Sequence, residues 1–234
     1  MSNFYVFTVI SCVWITIFGY IYILRRRDPN LHSQVILKFI LLICVTIGFT
    51  LLCNFKMGPL PPLGPFLDPV NGYLALVGSD KLPEGNLEIK GLRDEVTIIW
   101  DDRRIPHIFA ENDHDLYFTQ GYIQAFDRLW QLEFQVLAAG GRLSEILGTR
   151  SVKYDRFQRR IGMRLGADNA LEVYENDPEM KEILTAYTNG INTYIHSLKK
   201  DQYPLEYKIL DYTPEEWTIM KTALLYMYMA WELT

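Results

Sequence analysis

Apolar positions along the chain follow three patterns: unbroken runs near the N-terminus, a short alternating stretch, then recurrence at helical spacing. Phe4 to Leu24 is a run of 21 residues without a charge, and Val35 to Phe55 is a second of 21 with only Lys38 near one end. About 20 apolar residues span a bilayer core, so the pattern predicts two transmembrane helices, at about 4–24 and 35–55. A cleaved signal peptide competes for the first run. It fits less well, because no basic segment precedes the run and Arg25-Arg26-Arg27 follows it.

Residues 57–93 break the pattern. Prolines crowd 57–72, which reads as a semi-rigid spacer, and 73–93 is turn-rich. Glu95 to Trp100 is β-branched and aromatic, and Ile105 to Ala110 reads as a second strand. Asp101–Arg104 forms the turn between them. Helical periodicity then takes over. Asn112 is placed to cap a helix carrying Leu116, Ile123, Phe126, Leu129, Trp130 and Leu137, which Gly140-Gly141 ends. A short helix follows and stops at Gly148, where a left-handed cap is needed. Asp177-Pro178 opens another helix, with its apolar stripe running from Met180 to Leu198. Thr213-Pro214-Glu215-Glu216 reads as a capping box, and the helix expected after it is nearly all apolar from Ala223 to Trp231, hence buried. Thr234 falls inside that pattern, so a chain cut within an element is expected. The organisation is thus 1–56 membrane helices with a basic loop, 57–93 linker and turns, and 94–234 a mostly helical region.

Charge sharpens this division. Residues 57–234 hold 27 of the 28 acids but 18 of the 23 basic residues, a balance of about −9. That argues against nucleic acid as a partner. Arg25, Arg26 and Arg27 place the loop between the two runs in the cytoplasm, so the expected location is membrane-anchored, with the bilayer as partner and the helical region extracytoplasmic. The cysteines, Cys12, Cys44 and Cys53, all lie in the apolar runs and read as small hydrophobes.

Candidate chemistry is sparse. No two histidines have ligand spacing, so no metal site is expected. Glu111, Asp113 and Asp115 cluster like a calcium loop but lack the alternation and distal Glu of an EF-hand, and helix capping explains them more simply. His107 lacks a nucleophile partner, and no serine sits in a Gly-x-Ser-x-Gly elbow.

Five blocks, taken in order, carry a resemblance. They are Val96-Thr-Ile-Ile-Trp through Pro106-His-Ile-Phe-Ala110; Gly121-Tyr-Ile-Gln-Ala-Phe-Asp-Arg-Leu-Trp-Gln-Leu-Glu-Phe134 with Gly141-Arg-Leu-Ser-Glu-Ile-Leu-Gly148; Asp155-Arg-Phe-Gln-Arg-Arg-Ile-Gly162; Tyr187-Thr-Asn-Gly-Ile-Asn-Thr-Tyr194; and Pro204-Leu-Glu-Tyr-Lys-Ile-Leu210 with Thr213-Pro-Glu-Glu-Trp217. In this order the chain, over about 92–234, resembles the penicillin acylase family of N-terminal-nucleophile hydrolases. Asp101-Asp102 and Ile105 depart from the family's usual Arg-Asp and Gly.

The resemblance implies an α-rich (α+β) front half of an αββα fold, here preceded by the two membrane helices. It implies a precursor that cleaves itself and then hydrolyses the linear amide of a small N-acyl substrate. The nucleophile would come from the chain's own downstream β subunit, so no catalytic residue is expected in these 234 residues. Met229, Trp231, Glu232 and Leu233 would fall on a helix lining the acyl pocket, with Met229 and Leu233 as the wall. Read from the residues themselves, Asp127, Arg128 and Gln131 are structural: Asp127 and Arg128, adjacent on a helix, cannot face each other, and Arg128, Gln131 and Glu133 would form a polar network at the helix surface. No cofactor is expected in this segment, and a structural calcium is implied for the full-length protein. The alternative is a membrane-anchored binding or assembly module without catalysis.

Overall fold

The computed structural model describes residues 32–54, 63–66 and 85–234, together with Ile17 and Tyr22. The rest of the first apolar run, the Arg25–Arg27 loop and most of the proline-rich spacer lie outside the described residues. The second run forms helix α1 (His32–Asn54). Among the described residues, however, no helix is long and apolar enough to cross a membrane. This corrects the expectation of two transmembrane helices, and with it the membrane-anchored, extracytoplasmic location and the bilayer as partner. Lys38 stands near one end of the second run. Within α1 the uncharged stretch after it, Phe39 to Asn54, rises about 24 Å at ~1.5 Å per residue. A hydrocarbon core is ~30 Å thick.

A one-turn helix, α2 (Leu63–Phe66), follows. The helical region then opens on a hairpin of β1 (Thr97–Trp100) and β2 (Pro106–Phe109), antiparallel with Ile98 opposite Ile108 and Ile99 opposite His107. The Asp101 carboxylate organises its turn by accepting the N–H groups of Arg103 (2.9 Å) and Ile105 (2.8 Å). This lets Arg104 occupy a positive φ of 63°. Among the described residues this two-stranded hairpin is the one sheet, so the helix-rich part of the expectation holds and the layered αββα sandwich is not seen.

Helix α3 (Asp113–Ala139) is the spine. Asn112 caps it, its side chain accepting the N–H of Asp115 at 2.9 Å, and Gly140 closes it. α4 (Leu143–Leu147), a 3-10 turn at Gly148–Ser151 and α5 (Val152–Arg160) fold beside its C-terminus. The buried Asp155 carboxylate reaches back from α5 to accept the N–H groups of Leu143 (3.0 Å) and Ser144 (2.8 Å). α6 (Met163–Asn176) leads to α7 (Pro178–Ser197), capped by Asp177 as its Asp-Pro start predicts.

α7 lies across α3 with their backbones nearly touching. A methyl at Gly121 would overlap the Tyr187 carbonyl oxygen, and one at Gly190 would overlap that of Phe118. α8 (Leu205–Leu210) and α9 (Ile219–Glu232) complete the body. The core between them includes Leu129, Val136, Met163, Ile191, Tyr207 and Leu224.

Two helix expectations need correction at α9. The helix begins at Ile219 with Thr218 as its cap, so Thr213-Pro214-Glu215-Glu216 is an extended strap and not a capping box. Its burial is also partial. Ala223 and Leu224 are buried, but Tyr226, Met229, Trp231 and Leu233 are exposed.

Candidate functional site

The chemistry-bearing side chains concentrate where α9 enters the fold. Glu133 projects from the inner face of α3, level with Leu129 and Val136, and is 2% exposed. One of its carboxylate oxygens accepts the backbone N–H of Glu215 at 2.9 Å. The other accepts the Tyr207 hydroxyl. Lys221, from the first turn of α9, brings its Nζ to 3.8 Å from Glu133 Oε1 and 3.2 Å from Glu215 Oε2. Arg142 grips Glu215 through two nitrogens, at 3.1 and 2.7 Å, and Glu145 through two more contacts.

Burial and neighbours split the two acids. Arg142 draws the Glu215 carboxyl down to about 2 against the cost of its burial, with help from Tyr212 and Lys221. Burial pushes Glu133 up, although Tyr207, the Glu215 N–H and Lys221 all oppose the shift. The same burial, reinforced by the Glu133 charge, raises the Tyr207 phenol far above its ordinary value. Such a cluster holds backbone and charge in place.

Sequence reasoning set Glu133 on the helix surface beside Arg128 and Gln131. The structure separates them. Arg128 donates to Gln131 at 2.9 Å in an exposed pair, while Glu133 turns inward. The signal that could have found it is a lone acid in register with buried Leu129, Val136 and Leu137. Lys221, before buried Ala223 and Leu224, is the matching signal on α9. Arg128 also departs from helical backbone (φ −140°, ψ 24°), a kink that its sequence does not announce.

The two sets of candidate residues stand apart. Asp127, Arg128 and Gln131 lie on the turn of α3 before Glu133. α9 meets α3 through Lys221 and Leu224, then passes Gly166 of α6 through Met227 and comes near Tyr154 of α5 with Tyr228. Met229 and Leu233 sit on its final turns, 54% and 84% exposed, with Trp231 at 49%.

Among the described residues, no group of three or more His, Cys, Asp or Glu side chains stands ready to hold a metal ion. The Asp115 carboxylate, fully buried, is already occupied by the N–H groups of Arg93 (2.9 Å) and Asp94 (2.8 Å) and by the Asn112 amide (2.9 Å), with His114 Nδ1 also at 2.9 Å. Those hydrogen bonds hold its carboxyl well below the usual range even though burial works the other way. It anchors the segment before the hairpin to the start of α3.

Residues 95–234 match the family model described as Penicillin amidase. The acyl-homoserine lactone acylase QuiP of Pseudomonas syringae pv. tomato is 31% identical over 151 residues, which are 64% of this chain and 18% of that protein. The penicillin acylase 2 proenzyme of Pseudomonas sp. strain SE83 is 36% identical over 133 residues, 57% of this chain and 17% of that protein. Among solved structures, the thermostable penicillin G acylase from Alcaligenes faecalis superposes with a TM-score of 0.52 at 26% identity, covering 58% of this chain and 71% of that one. The chain thus spans about a fifth of the length of the curated relatives it matches.

Proposed function

The chain belongs to the penicillin amidase family, and from that premise we propose that it is the helical front portion of an enzyme that hydrolyses the linear amide bond of an N-acyl substrate. The nucleophile in this reading is a hydroxyl- or thiol-bearing residue downstream, exposed as a new N-terminus when the precursor cleaves itself. Its own α-amino group, titrating at roughly 7.7–8.0, takes the nucleophile's proton near neutral pH. Backbone and side-chain donors then stabilise the tetrahedral oxyanion. This chain contributes scaffold and one wall of the acyl pocket.

The observation that carries the reading is the uneven burial of α9. Its first turns are locked into the core by Lys221, Ala223 and Leu224, while its last turns hold Met229, Trp231 and Leu233 out of it. An apolar helix end on a rigid base suits an acyl-binding wall, and methionine adapts its shape to the acyl group. The relatives named as acyl-homoserine lactone and penicillin acylases support an acyl group of apolar character.

The test is turnover by the complete gene product on phenylacetyl and fatty-acyl amides. Cleavage that depends on a self-processed N-terminal Ser, Thr or Cys is expected, together with none from these 234 residues alone. A complete gene product that processes no precursor and cleaves no amide would favour a binding or assembly module instead.

A further inference from the structure

The strap between α8 and α9, residues 211–218, belongs to neither a helix nor a sheet. Side chains from distant helices hold its backbone. Asn192 of α7 accepts the Trp217 N–H through Oδ1 at 2.7 Å and donates from Nδ2 to the Trp217 carbonyl at 3.0 Å. The amide of one side chain thus does for this residue what a neighbouring strand does in a ladder. Two residues earlier, Glu133 of α3 takes the Glu215 N–H at 2.9 Å. The inward positions 215 and 217 alternate with Glu216, which points outward to His196 at 3.0 Å. Trp217 itself is 2% exposed, and its indole N–H donates to Thr222 in the first turn of α9 at 2.9 Å. Thr218 then caps the helix.

We infer that Glu133 and Asn192 are positioning residues that set the point and angle at which α9 leaves the strap, and thereby where Met229 and Leu233 stand. This rests on the reading of that helix end as an acyl-pocket wall.

The leverage is geometric. From Lys221 to Leu233 the helix rises roughly 18 Å. A tilt of a few degrees at its base therefore moves Leu233 by about 1 Å. Binding of an acyl group against the last turns is sensitive to that shift, since displacements of about 1 Å in a site cost up to 10²-fold. Neither residue touches the helix end, so neither is a catalytic residue. Beyond Leu224 the helix runs alongside α6, with Met227 against Gly166, so α6 supports its middle while Met229 and Leu233 on the last turns stay exposed. Glu133 and Asn192 also come from the two helices that cross at Gly121 and Gly190, which gives the clamp a rigid base.

The experiment compares Asn192→Ala, Asn192→Asp and Glu133→Gln with wild type in two measurements. The first is amide hydrogen exchange on this chain. Asn192→Ala is expected to speed exchange at Trp217 and through the first turns of α9 by at least about 10-fold, with the α3–α7 crossing unchanged. Asn192→Asp, which keeps the acceptor for the Trp217 N–H, restores part of the protection. The second is steady-state kinetics of the complete gene product over a series of acyl lengths. Asn192→Ala is expected to raise KM about 10-fold for the preferred acyl group and to flatten the length preference, with kcat within about 3-fold. A folded Asn192→Ala whose α9 exchange matches wild type, or whose acyl-length profile is unchanged, overturns the inference. If that variant fails to fold, Glu133→Gln and Asn192→Asp decide by the same two readouts. A wild-type protein that cleaves no amide in the series overturns the acyl-pocket reading itself, and that result appears before any substitution is made.

Discussion

Two junctions hold α3 in place, and they are built on opposite principles. At its crossing with α7, contact is backbone on backbone, and Gly121 and Gly190 are there because nothing larger fits. At its junction with the strap and α9, contact is made by buried charge: Glu133, Lys221 and Glu215, held by Arg142 and Tyr207. The first junction gains from dispersion and area, and is indifferent to pH. The second gains orientation. A buried ionic group is weak evidence of net stability, because desolvating each charge costs several kcal/mol that its partner only partly returns. What such a group does supply is directionality: the Glu133 oxygens accept from two donors at fixed angles, which an apolar contact cannot impose. Rigid crossing and oriented seat together explain why α9 leaves the core in one direction.

Removing the central charge tests that contrast most severely. Glu133→Ala leaves Lys221 without its deeper acid and leaves the Tyr207 hydroxyl and the Glu215 N–H without acceptors. Breaking a buried ionic contact on one side costs about 3–5 kcal/mol. Urea unfolding of the variant is expected to show a loss of that size. A loss below about 1 kcal/mol would mean that water or a rearranged strap replaces the carboxylate, and the oriented-seat description would fail.

Gly190→Ala probes the other junction. Its methyl meets the Phe118 carbonyl carbon at 2.9 Å and the Tyr122 nitrogen at 3.0 Å, besides overlapping the carbonyl oxygen, so the helices must part. Overpacking of this kind costs typically about 1–3 kcal/mol, offset by up to about 1 kcal/mol of helix propensity. A net loss of about 2 kcal/mol in thermal or urea unfolding is expected, the same at pH 4 and pH 7. A neutral result would show that the crossing slides and is not fixed.

These two regions also differ in how far the sequence discloses them. The local signals were readable: Asn112 and Asp177-Pro178 as caps, Gly140-Gly141 as a stop, and Trp100 and Pro106 as facing strand ends. Each is decided by residues within a turn of one another. The strap was not readable, because Thr213-Pro-Glu-Glu216 satisfies the spacing of a capping box. Its fate is decided by Glu133, 82 positions away, and Asn192, 25 away. The exposed end of α9 misled for a different reason, since an all-apolar helix says that it wants cover without saying what covers it. Helix α1 shows the same limit, its composition meeting a membrane criterion that its uncharged length does not. Met229 and Leu233 came from resemblance, Asp127, Arg128 and Gln131 from a structural reading of their helix, and the two sets lie on different helices.

Titration separates the junctions more gently. Glu215, with its carboxyl drawn to about 2 from an ordinary 4.5, is a better acid folded than unfolded. Its contribution is therefore complete above pH 4.5 and is lost as pH falls toward 2. Solvent screening at a pair one-third exposed limits the gain to about 1 kcal/mol. Glu133 has the opposite sign. Its carboxyl is raised, so the folded state holds the proton more tightly and stability declines as pH rises above 4.5. Together they predict a maximum near pH 4.5 from this cluster. Glu215→Gln is expected to flatten the acidic limb and Glu133→Gln the alkaline one. Unfolding free energies measured from pH 3 to pH 7 decide this, and an unaltered curve in either variant would mean that the cluster does not titrate as its geometry requires.

The smallest expected effect concerns the kink. Arg128 donates to Gln131 at 2.9 Å three residues along α3, an exposed pairing of a kind that contributes about 0.2–0.5 kcal/mol on a helix. Arg128 is also where the backbone leaves helical geometry, and no proline or glycine is there to cause it. If the kink is imposed by packing on either side, by Leu129 in the core and by the Gly121 contact with α7, the side-chain bond merely follows it. Gln131→Ala should then cost no more than about 0.5 kcal/mol and leave hydrogen exchange in Ile123–Val136 unchanged. If the bond instead holds the kink, removing it lets α3 straighten, and the turn carrying Glu133 rotates away from Tyr207 and Glu215. A loss above about 1 kcal/mol with faster exchange at Glu215 would therefore tie the exposed motif to the buried seat and make them one device.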